Sequence, residues 1–340
     1  MEKSDRNDLS IQCRQLWETV FGDSEEFVDL YFNRRFTPEN TICVFESGRV
    51  VSAMQSLQYD MTFCQAVIRV GYVSGLATLP GFRNRGLAAK VLRESHRRLY
   101  DRGALLSLLI PAENSLFDYY RRMNYAVCSY FSEEQVMCSG HLNADKSKTY
   151  MPAPCLTQNL IEFVQRQMQK RPCCIQHAKN DIEDIFRVME LGHGGFPLIL
   201  DKDGIVAVAV TELVNGVLRV NDILGIEKYR NCLLNHIAMA EKTTAMLVRD
   251  YEKQSKPYGM ARIINAKKII EMIAKANPDM DFTLSVVDDE IVENNGTYSI
   301  KNGFCQHAAL NTAYCQALSI SELTEKLLSR FNPVMSLMLD

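Results

Sequence analysis

The chain has 340 residues, 47% of them hydrophobic and 23% charged, with a formal net charge of −3. This composition is that of a folded globular protein, and the length predicts two or three domains of roughly 100–150 residues each. No apolar run approaches the ~20 residues of a membrane span, and the first residues, MEKSDRNDLS, lack the apolar segment of a secretion signal. We therefore expect a cytoplasmic protein without a membrane partner.

The 11 cysteines are scattered, with only Cys173 and Cys174 adjacent and no C-x-x-C spacing. This pattern supports neither a metal site nor a disulfide framework, so we expect the cysteines to be small buried side chains. The slightly acidic balance also disfavours a nucleic-acid partner, which makes any local basic cluster informative.

The first 147 residues predict a mixed α/β unit of order α-α-β-β-β-α-β-α. Apolar residues at helical spacing, broken at Gly22-Asp23, predict two short helices before residue 37. Runs rich in β-branched and aromatic residues then predict a three-stranded meander with a hairpin turn at Ser47-Gly48. The remaining predicted elements are a helix over 87–100 that Gly103 ends, a buried strand over 104–111 and a helix over 116–125.

A polar linker is predicted over 139–154, after which the pattern partly repeats. A second meander over 196–225 has hairpin signals at Asp203-Gly204 and Asn215-Gly216. Residues 256–340 then predict a small α+β domain that ends at Asp340.

The second region resembles the first around one segment. Without gaps, Phe82-Arg83-Asn84 matches Tyr229-Arg230-Asn231, whereas Gly86 falls on Leu233 and Ala88 on Asn235. We infer an internal duplication whose second copy has lost the small residues; chance similarity is the alternative.

The segment LPGFRNRGLAAKVL, from Leu79 to Leu92, leads from a predicted strand into a predicted helix. A helix N-terminus presents unpaired N–H groups and a partial positive charge, which together form a natural anion site. A side chain at position 86 would occupy the space of an approaching phosphate, and Ala88 keeps the first helical turn slim. Seven Lys/Arg against two acids between Arg83 and Arg102 indicate a ligand with several negative charges.

This segment matches neither the P-loop pattern nor G-x-G-x-x-G. Instead, Arg83-x-x-Gly86-x-Ala88 resembles the pyrophosphate loop of the GNAT acetyltransferase superfamily, Arg/Gln-x-x-Gly-x-Gly/Ala. The resemblance implies the GNAT fold, acetyl-CoA as cosubstrate and no metal; an ordinary helix start with a solvated basic face is the alternative. The residues that it places around acetyl-CoA are Leu76, Ala77 and Thr78 at the thioester, Arg83, Asn84, Arg85, Gly86, Leu87, Ala88 and Ala89 at the diphosphate, and Asn114 and Ser115 at the end of the next strand.

The stretch from Tyr120 to Tyr125 resembles a second signature of that family, Tyr-x-x-x-Gly-Phe/Tyr. In the family this tyrosine often protonates the departing CoA thiolate, and a phenol of pKa about 10 beside a thiol of about 8.5 suits that role. The resemblance makes Tyr120 the expected general acid, with Tyr119 as the competing choice and a core-packing pair as the structural alternative. Asn124 replaces the glycine, a mild change because asparagine tolerates positive φ.

The whole chain resembles the Eis-like acetyltransferases, which join a catalytic GNAT domain, a degenerate GNAT-like domain and a domain like sterol carrier protein. The resemblance implies domains at 1–147, 148–255 and 256–340, direct transfer of acetyl to an amine of a small cationic molecule or a lysine, and a homo-oligomer. It also implies that the terminal carboxylate of Asp340 is the base, and the apolar tail NPVMSLMLD favours docking.

Other functions stay open at this point. A CoA-binding or lipid-binding protein of the same fold without turnover would account for Asn124 and for the lack of an obvious His or Glu base. An aminoacyl-tRNA-dependent transferase would need a basic surface or coiled-coil arm, of which the sequence shows neither. A nucleic-acid binder using residues 83–102 would need interleaved aromatic side chains.

Overall fold

The computed structural model describes residues 3–138, 148–152, 154–310 and 317–339, with side chains from residue 8 onward. The chain forms two compact units. Unit 1 contains Met1–Ser129 and Tyr258–Pro333, and unit 2 contains Tyr130–Pro257 and Val334–Leu339. The three domains expected from the sequence stay a prediction, and each unit is described separately below.

The first part of unit 1 has the predicted order of helices and strands. Its elements are α1 (Lys3–Val20), α2 (Glu25–Arg34), β1 (Thr41–Glu46), β2 (Arg49–Phe63), β3 (Ala66–Thr78), α3 (Leu87–Asp101), β4 (Leu106–Leu109), α4 (Asn114–Arg121) and the start of β5 (Ala126–Met137). The turn at Ser47-Gly48 has positive φ at both residues, as its hairpin requires. Helix α4 begins two residues earlier and ends four residues earlier than the sequence predicts.

Unit 2 continues from β5 with a second helix pair and meander. Its elements are β6 (Thr149–Met151), α5 (Gln158–Gln169), β7 (Cys174–Gln176), α6 (Lys179–Leu191), β8 (Leu198–Asp201), β9 (Gly204–Val214), β10 (Val217–Gly225), α7 (Arg230–Ala240) and β11 (Ala245–Asp250). The predicted meander is confirmed, whereas the linker prediction is wrong at 149–151, where β6 pairs with β8. The rest of that linker falls largely on 139–147 and 153, outside the described residues.

The predicted α+β character of the last part of the chain is confirmed. Its elements are β12 (Lys256–Ile263), α8 (Ala266–Ala276), β13 (Phe282–Val287), β14 (Gly296–Lys301), β15 (Phe304–Ala308), β16 (Ala317–Ser319) and α9 (Ile320–Leu328). The last four strands form a sheet of order β15-β14-β13-β16. Strand β12 instead pairs antiparallel with β4, so this part of the chain completes the main sheet of unit 1.

The main sheet of unit 1 determines where the candidate site lies. Strands β1, β2 and β3 are antiparallel neighbours, and β4 lies parallel to β3. Helix α1 packs Leu9, Cys13 and Leu16 against the sheet. Because β3 and β4 are parallel, the segments that follow them leave the sheet at the same edge. The turn before α3 and the start of α4 therefore lie at one edge of the sheet.

The cysteines only partly match expectation. Cys13, Cys128, Cys173 and Cys174 are buried, but Cys155 is exposed, so the expectation that all are buried is wrong. None of the described cysteines forms a disulfide, and the described residues contain no cluster of side chains suited to hold a metal ion. Across the described ranges, no helix is long and apolar enough to cross a membrane.

Candidate active site

The turn before α3 has the backbone geometry of an anion site. After a short 3-10 turn at Pro80–Phe82, both Asn84 (φ +62°) and Gly86 (φ +75°) adopt the left-handed conformation. Glycine adopts this conformation without strain, which adds a second reason for Gly86 besides space. A Cβ added there would meet no atom within 4 Å, so the space in front of Gly86 is open.

Helix α3 begins directly behind Gly86 with an unsatisfied N-terminus. No side chain caps the helix, and its first turn carries no acidic residue. The early N–H groups of a helix have no intrahelical acceptor, and the helix dipole favours negative charge there. The exposed segment from Arg83 to Gly86, with Leu87, Ala88 and Ala89 half-buried behind it, therefore presents donors to an incoming anion.

The basic cluster has a different explanation from the one the sequence suggested. Arg97 pairs with Asp101 at 2.6 Å and with Glu293 at 2.7 Å, and Arg98 pairs with Glu94 at 2.9 Å. Arg93 lies 3.8 Å from Glu290, and Arg102 donates to the Glu39 carbonyl at 2.9 Å. These four arginines have acceptors within unit 1, so their charge alone does not indicate a polyanionic ligand.

The cations next to the turn are Arg83, Arg85 and Lys90. The Arg83 Nε donates to the Thr78 carbonyl at 3.2 Å and so ties the turn to the end of β3. Arg85 pairs with Glu46 at 2.7 Å and lies over the Phe82 ring. Since both members of that ion pair are substantially exposed, the pair contributes little to stability and leaves the guanidinium available to a stronger anion.

An opening separates β3 from β4 at the edge of the sheet that leads to the turn. Their parallel pairing runs only from Val70 and Leu106 to Tyr72 and Leu108, whereas β3 continues to Thr78. The final residues of β3 keep their partners in β2 but have none in β4. A strand edge without a partner strand therefore borders the turn.

The residues of β3 predicted at the thioester differ in what they offer. The Leu79 N–H donates to Val51 of β2 at 3.0 Å, so the alternation of backbone groups directs the Thr78 N–H away from β2, toward the opening. The Ala77 side chain is buried in the core, and its carbonyl accepts from Ser52 at 3.0 Å. Leu76 is half-buried. Thr78 therefore directs a backbone donor toward the opening, whereas Ala77 does not.

A bulge in β3 sits directly beside this edge. The register shifts where Ala53–Gln55 of β2 faces Ser74–Ala77, and Gly75 there has φ +61°. A Cβ added at Gly75 would lie 2.1 Å from the Trp17 ring. A 2.8 Å hydrogen bond from the Trp17 Nε1 to Asp23 holds this ring, so the ring cannot easily move away from an added methyl group. The bulge is therefore a built feature that bends β3 away from β4.

Helix α4 carries the candidate acid. Tyr120 is 8% exposed, and its ring makes edge contacts with Tyr119 and Tyr125. Burial raises the pKa of Tyr120 strongly, with a smaller contribution from Tyr119, so its phenol is protonated at neutral pH. Burial raises the pKa of Tyr119 as well, although the nearby charges of Arg122 and Arg93 oppose it.

The ends of α4 refine two further predictions. Asn114 and Ser115 are exposed and begin the helix, so the prediction that they end the preceding strand is wrong about their position. Asn124 has φ +63°, which is the conformation that the expected glycine would adopt. Its substitution for glycine therefore leaves the turn after α4 intact.

Residues 5–128 match the profile described as the acetyltransferase (GNAT) domain. This part of the chain is similar to the GNAT acetyltransferase domain. The resemblance seen in the sequence is thereby confirmed for the domain that carries the glycine turn, the opening and Tyr120.

Solved structures extend the GNAT likeness over nearly the whole chain as a fold. A GNAT protein from Anabaena variabilis is 18% identical, with a TM-score of 0.72 over 95% of this chain and 87% of that one. Eis1 from Mycobacterium abscessus is 10% identical, with a TM-score of 0.72 over the same shares. A probable N-acyltransferase from Enterococcus faecalis is 13% identical, with a TM-score of 0.75 over 96% of this chain and 88% of that one. A search among proteins of curated function gave no significant match.

The second copy lacks the glycine turn that precedes α3 in unit 1. In unit 2, α7 begins at Arg230, immediately after a 3-10 turn at Glu227–Tyr229. Leu233, which the gapless sequence comparison matches with Gly86, lies inside α7 and is fully buried. In unit 2 the 3-10 turn therefore leads directly into α7, without the segment that separates Phe82 from Leu87 in unit 1.

Sequence reasoning missed a buried polar network in the GNAT domain. His96 of α3 contacts Glu290 through Nδ1 at 2.7 Å and the Tyr125 hydroxyl through Nε2 at 3.0 Å. The Tyr125 hydroxyl lies 2.6 Å from Ser107 of β4. Burial and the charge of Arg262 lower the pKa of His96 to about 4, against the opposing effect of Glu290.

The protonation state gives this network a direction. Neutral His96 donates from Nδ1 to Glu290, so its Nε2 accepts from Tyr125, which in turn accepts from Ser107. The network anchors the residue that follows Asn124 and packs against Tyr120, and so positions the end of α4. A single His in the stretch RESHRR, on the apolar face of α3, was the available sequence signal.

The last predicted site residue, Asp340, lies outside the described residues. The tail before it is firmly held in unit 2. Leu337 and Leu339 join the core there, and His177 Nε2 donates to the Ser336 carbonyl at 2.9 Å. The predicted docking of the tail is therefore confirmed up to Leu339.

Proposed function

We propose that the protein transfers the acetyl group of acetyl-CoA directly to a primary amine, within a ternary complex in unit 1. The observation that carries this proposal is the uncapped, acid-free N-terminus of α3 behind Gly86, next to the unpaired edge of β3. A diphosphate fits the first feature, and an extended chain of amide groups fits the second.

Acetyl-CoA supplies an activated acetyl thioester when bound. Gly86 and the first-turn N–H groups of α3, from Leu87 to Ala89, would hold the diphosphate, aided by Arg83 and Arg85. The Thr78 N–H, directed into the opening, would orient the pantetheine end or polarise the thioester carbonyl. Asn114 and Ser115 would contact the cosubstrate from the start of α4.

Tyr120 would donate its phenolic proton to the departing sulfur as the carbon–sulfur bond breaks. Its burial keeps it protonated at neutral pH, and none of the described side chains forms a hydrogen bond with its hydroxyl. The α-carboxylate of Asp340 would accept the proton that the attacking amine loses. The proposed acceptor is a small cationic molecule or a lysine side chain, which reacts in its neutral amine form.

The proposal is tested by incubating the protein with acetyl-CoA and a panel of polyamines, aminoglycosides and lysine peptides. Thiol release is followed together with the mass of the amine. We expect amine-dependent release with one acetyl group gained per thiol. Tight CoA binding without turnover on the whole panel would instead favour the non-catalytic binding protein.

The role of Asp340 is tested separately by extending the chain with a few glycine and serine residues. The extension removes the carboxylate from its position but leaves the anchored tail unchanged. We expect turnover to fall while CoA affinity and melting temperature stay the same. Unchanged turnover in a folded, extended protein would exclude the terminal carboxylate as the base.

A further inference from the structure

Unit 2 contains a cavity of about 560 Å³ that the proposed acetyl transfer does not use. This volume lies within the range of about 300–1,000 Å³ that is usual for small-molecule sites. Its wall is about equally polar and apolar, and Phe186, Phe196 and Ile237 are among the apolar residues. Two exposed carboxylates, Glu190 and Glu241, also line it.

The position in unit 1 that corresponds to this cavity is found by matching the C-terminal ends of α3 and α7. After α3, the Ala104 N–H donates to the Leu99 carbonyl at 2.9 Å; after α7, the Thr243 N–H donates to the Ala238 carbonyl at 2.9 Å. The residues just before, Gly103 and Lys242, both have positive φ. Counting back from this shared turn, Arg102 corresponds to Glu241 and Arg98 corresponds to Ile237.

The equivalent strands identify the opposite wall in the same way. The register shift between Val44 and Phe45 in β1 recurs between Ile199 and Leu200 in β8. Counting back from this shared irregularity, Glu39 corresponds to Gly194 and Thr41 corresponds to Phe196. Gly194 and Phe196 both line the cavity.

In unit 1, arginines bridge these two walls. Arg102 donates to the Glu39 carbonyl at 2.9 Å, and Arg98 donates to the Thr41 carbonyl at 3.2 Å. In unit 2 both guanidinium groups are lost, and a carboxylate stands where Arg102 stood. The cavity is therefore the space that the two arginine side chains fill in the first copy.

The groups left behind in unit 2 lack a cationic donor. Among the described residues, no donor reaches the carbonyl oxygen of Gly194 or of Phe196. Glu241 likewise forms no ion pair with any described residue. The loop is nevertheless tightly held, because a Cβ at Gly194 would lie 1.9 Å from the Thr211 carbonyl. The cavity is thus lined by the tightly held Gly194 loop and Phe196, by the Glu241 carboxylate and by apolar side chains, with His193 as a further polar residue.

We propose that this cavity binds a small organic cation, a guanidinium or alkylammonium group on an apolar chain, in the place of the lost arginine side chains. The cationic head would lie between Glu241 and the carbonyls of Gly194 and Phe196. The apolar chain would lie along Phe186 and Ile237, as an arginine stem covers apolar surface. This ligand site is separate from the acetyl-transfer site and does not depend on it.

The test is calorimetric titration of the full chain with hexylguanidinium, with 1-hexanol as the uncharged probe. We expect one hexylguanidinium per chain and no measurable binding of hexanol. Glu241→Gln should weaken binding by at least ~10-fold, since it removes a charge-assisted contact, whereas the exposed control Glu252→Gln should not change it. Glu241→Arg should abolish binding and raise the melting temperature, because it restores the bridge of unit 1.

Two results would overturn the proposal. One is no heat of binding for hexylguanidinium at millimolar concentration with the folded protein. The other is equal affinity in the Glu241→Gln and Glu252→Gln variants, which would place the bound cation elsewhere on the chain.

Discussion

Replacing Gly86 by alanine tests the anion site most specifically, because the chain offers a matched control on the same helix. Gly86 and Gly103 lie at opposite ends of α3, with φ of +75° and +76°, and a Cβ at either meets nothing within 4 Å. Forcing alanine into this conformation costs about 1–2 kcal/mol at each position. The two variants should therefore lose similar free energy of unfolding.

They should differ in CoA binding. At Gly86 the new methyl group lies in the path of the diphosphate and disturbs the N–H groups that receive it, each such charge-assisted hydrogen bond being worth about 1.5–3 kcal/mol. We expect the dissociation constant of CoA to rise at least ~10-fold in Gly86→Ala and to change less than about twofold in Gly103→Ala. The bulkier Gly86→Leu, which copies the second repeat, should abolish binding while the fold survives.

Urea denaturation and calorimetric titration with CoA give both quantities. CoA affinity unchanged from wild type in both alanine variants, with both folded, would refute the assignment of the diphosphate to this turn. Equal losses of affinity would instead show that backbone strain in α3, rather than the anion site, is responsible.

Three further changes test other parts of unit 1. Tyr120→Phe should lower kcat in a thiol-release assay by roughly 10²–10⁴-fold while the affinity for acetyl-CoA stays nearly unchanged. Tyr119→Phe serves as the control. A large loss of kcat in Tyr119→Phe and none in Tyr120→Phe would assign the acid to Tyr119. Gly75→Ala should lower the free energy of unfolding in urea by about 2–4 kcal/mol, because its methyl group would contact Trp17. Gly48→Ala, where the space is open, should lower it by only about 1–2 kcal/mol. Similar losses in the two variants would contradict the role of the bulge. The pKa of His96 is lowered to about 4, whereas an unfolded histidine titrates near 6.5, so the unfolded state binds the proton first as pH falls. The free energy of unfolding should therefore decrease by about 3 kcal/mol between pH 6.5 and pH 4. A His96→Asn variant with the same pH dependence in urea unfolding would show that His96 does not carry this effect.

Local patterns were sufficient to predict most of the fold of the first copy and the position of its turn. Glycine, asparagine and helical periodicity are read from neighbouring residues, and they predicted the turn before α3 and the tolerance of Asn124 for positive φ. The opening beside β3 follows from strand pairing, which joins distant residues and has no local signal. Gly75 shows this, since its need for glycine comes from the ring of Trp17.

The basic cluster shows where charge counting fails. The arginines from Arg93 onward find partners on other segments, including Glu290 and Glu293, about two hundred positions away in sequence. The same long-range contacts hide the buried network of His96. Only the three-dimensional arrangement distinguishes a cation that binds a ligand from one that closes the fold.

The proposed function requires that a diphosphate bound at Gly86 serves acetyl transfer to an amine. The most direct measurement compares wild type and Gly86→Leu for coupled formation of CoA thiol and acetylated amine across the amine panel. We predict equimolar products from the wild type and none from the variant, with both proteins equally folded. Undiminished transfer by Gly86→Leu, or a wild type that binds CoA but acetylates no amine, would contradict it.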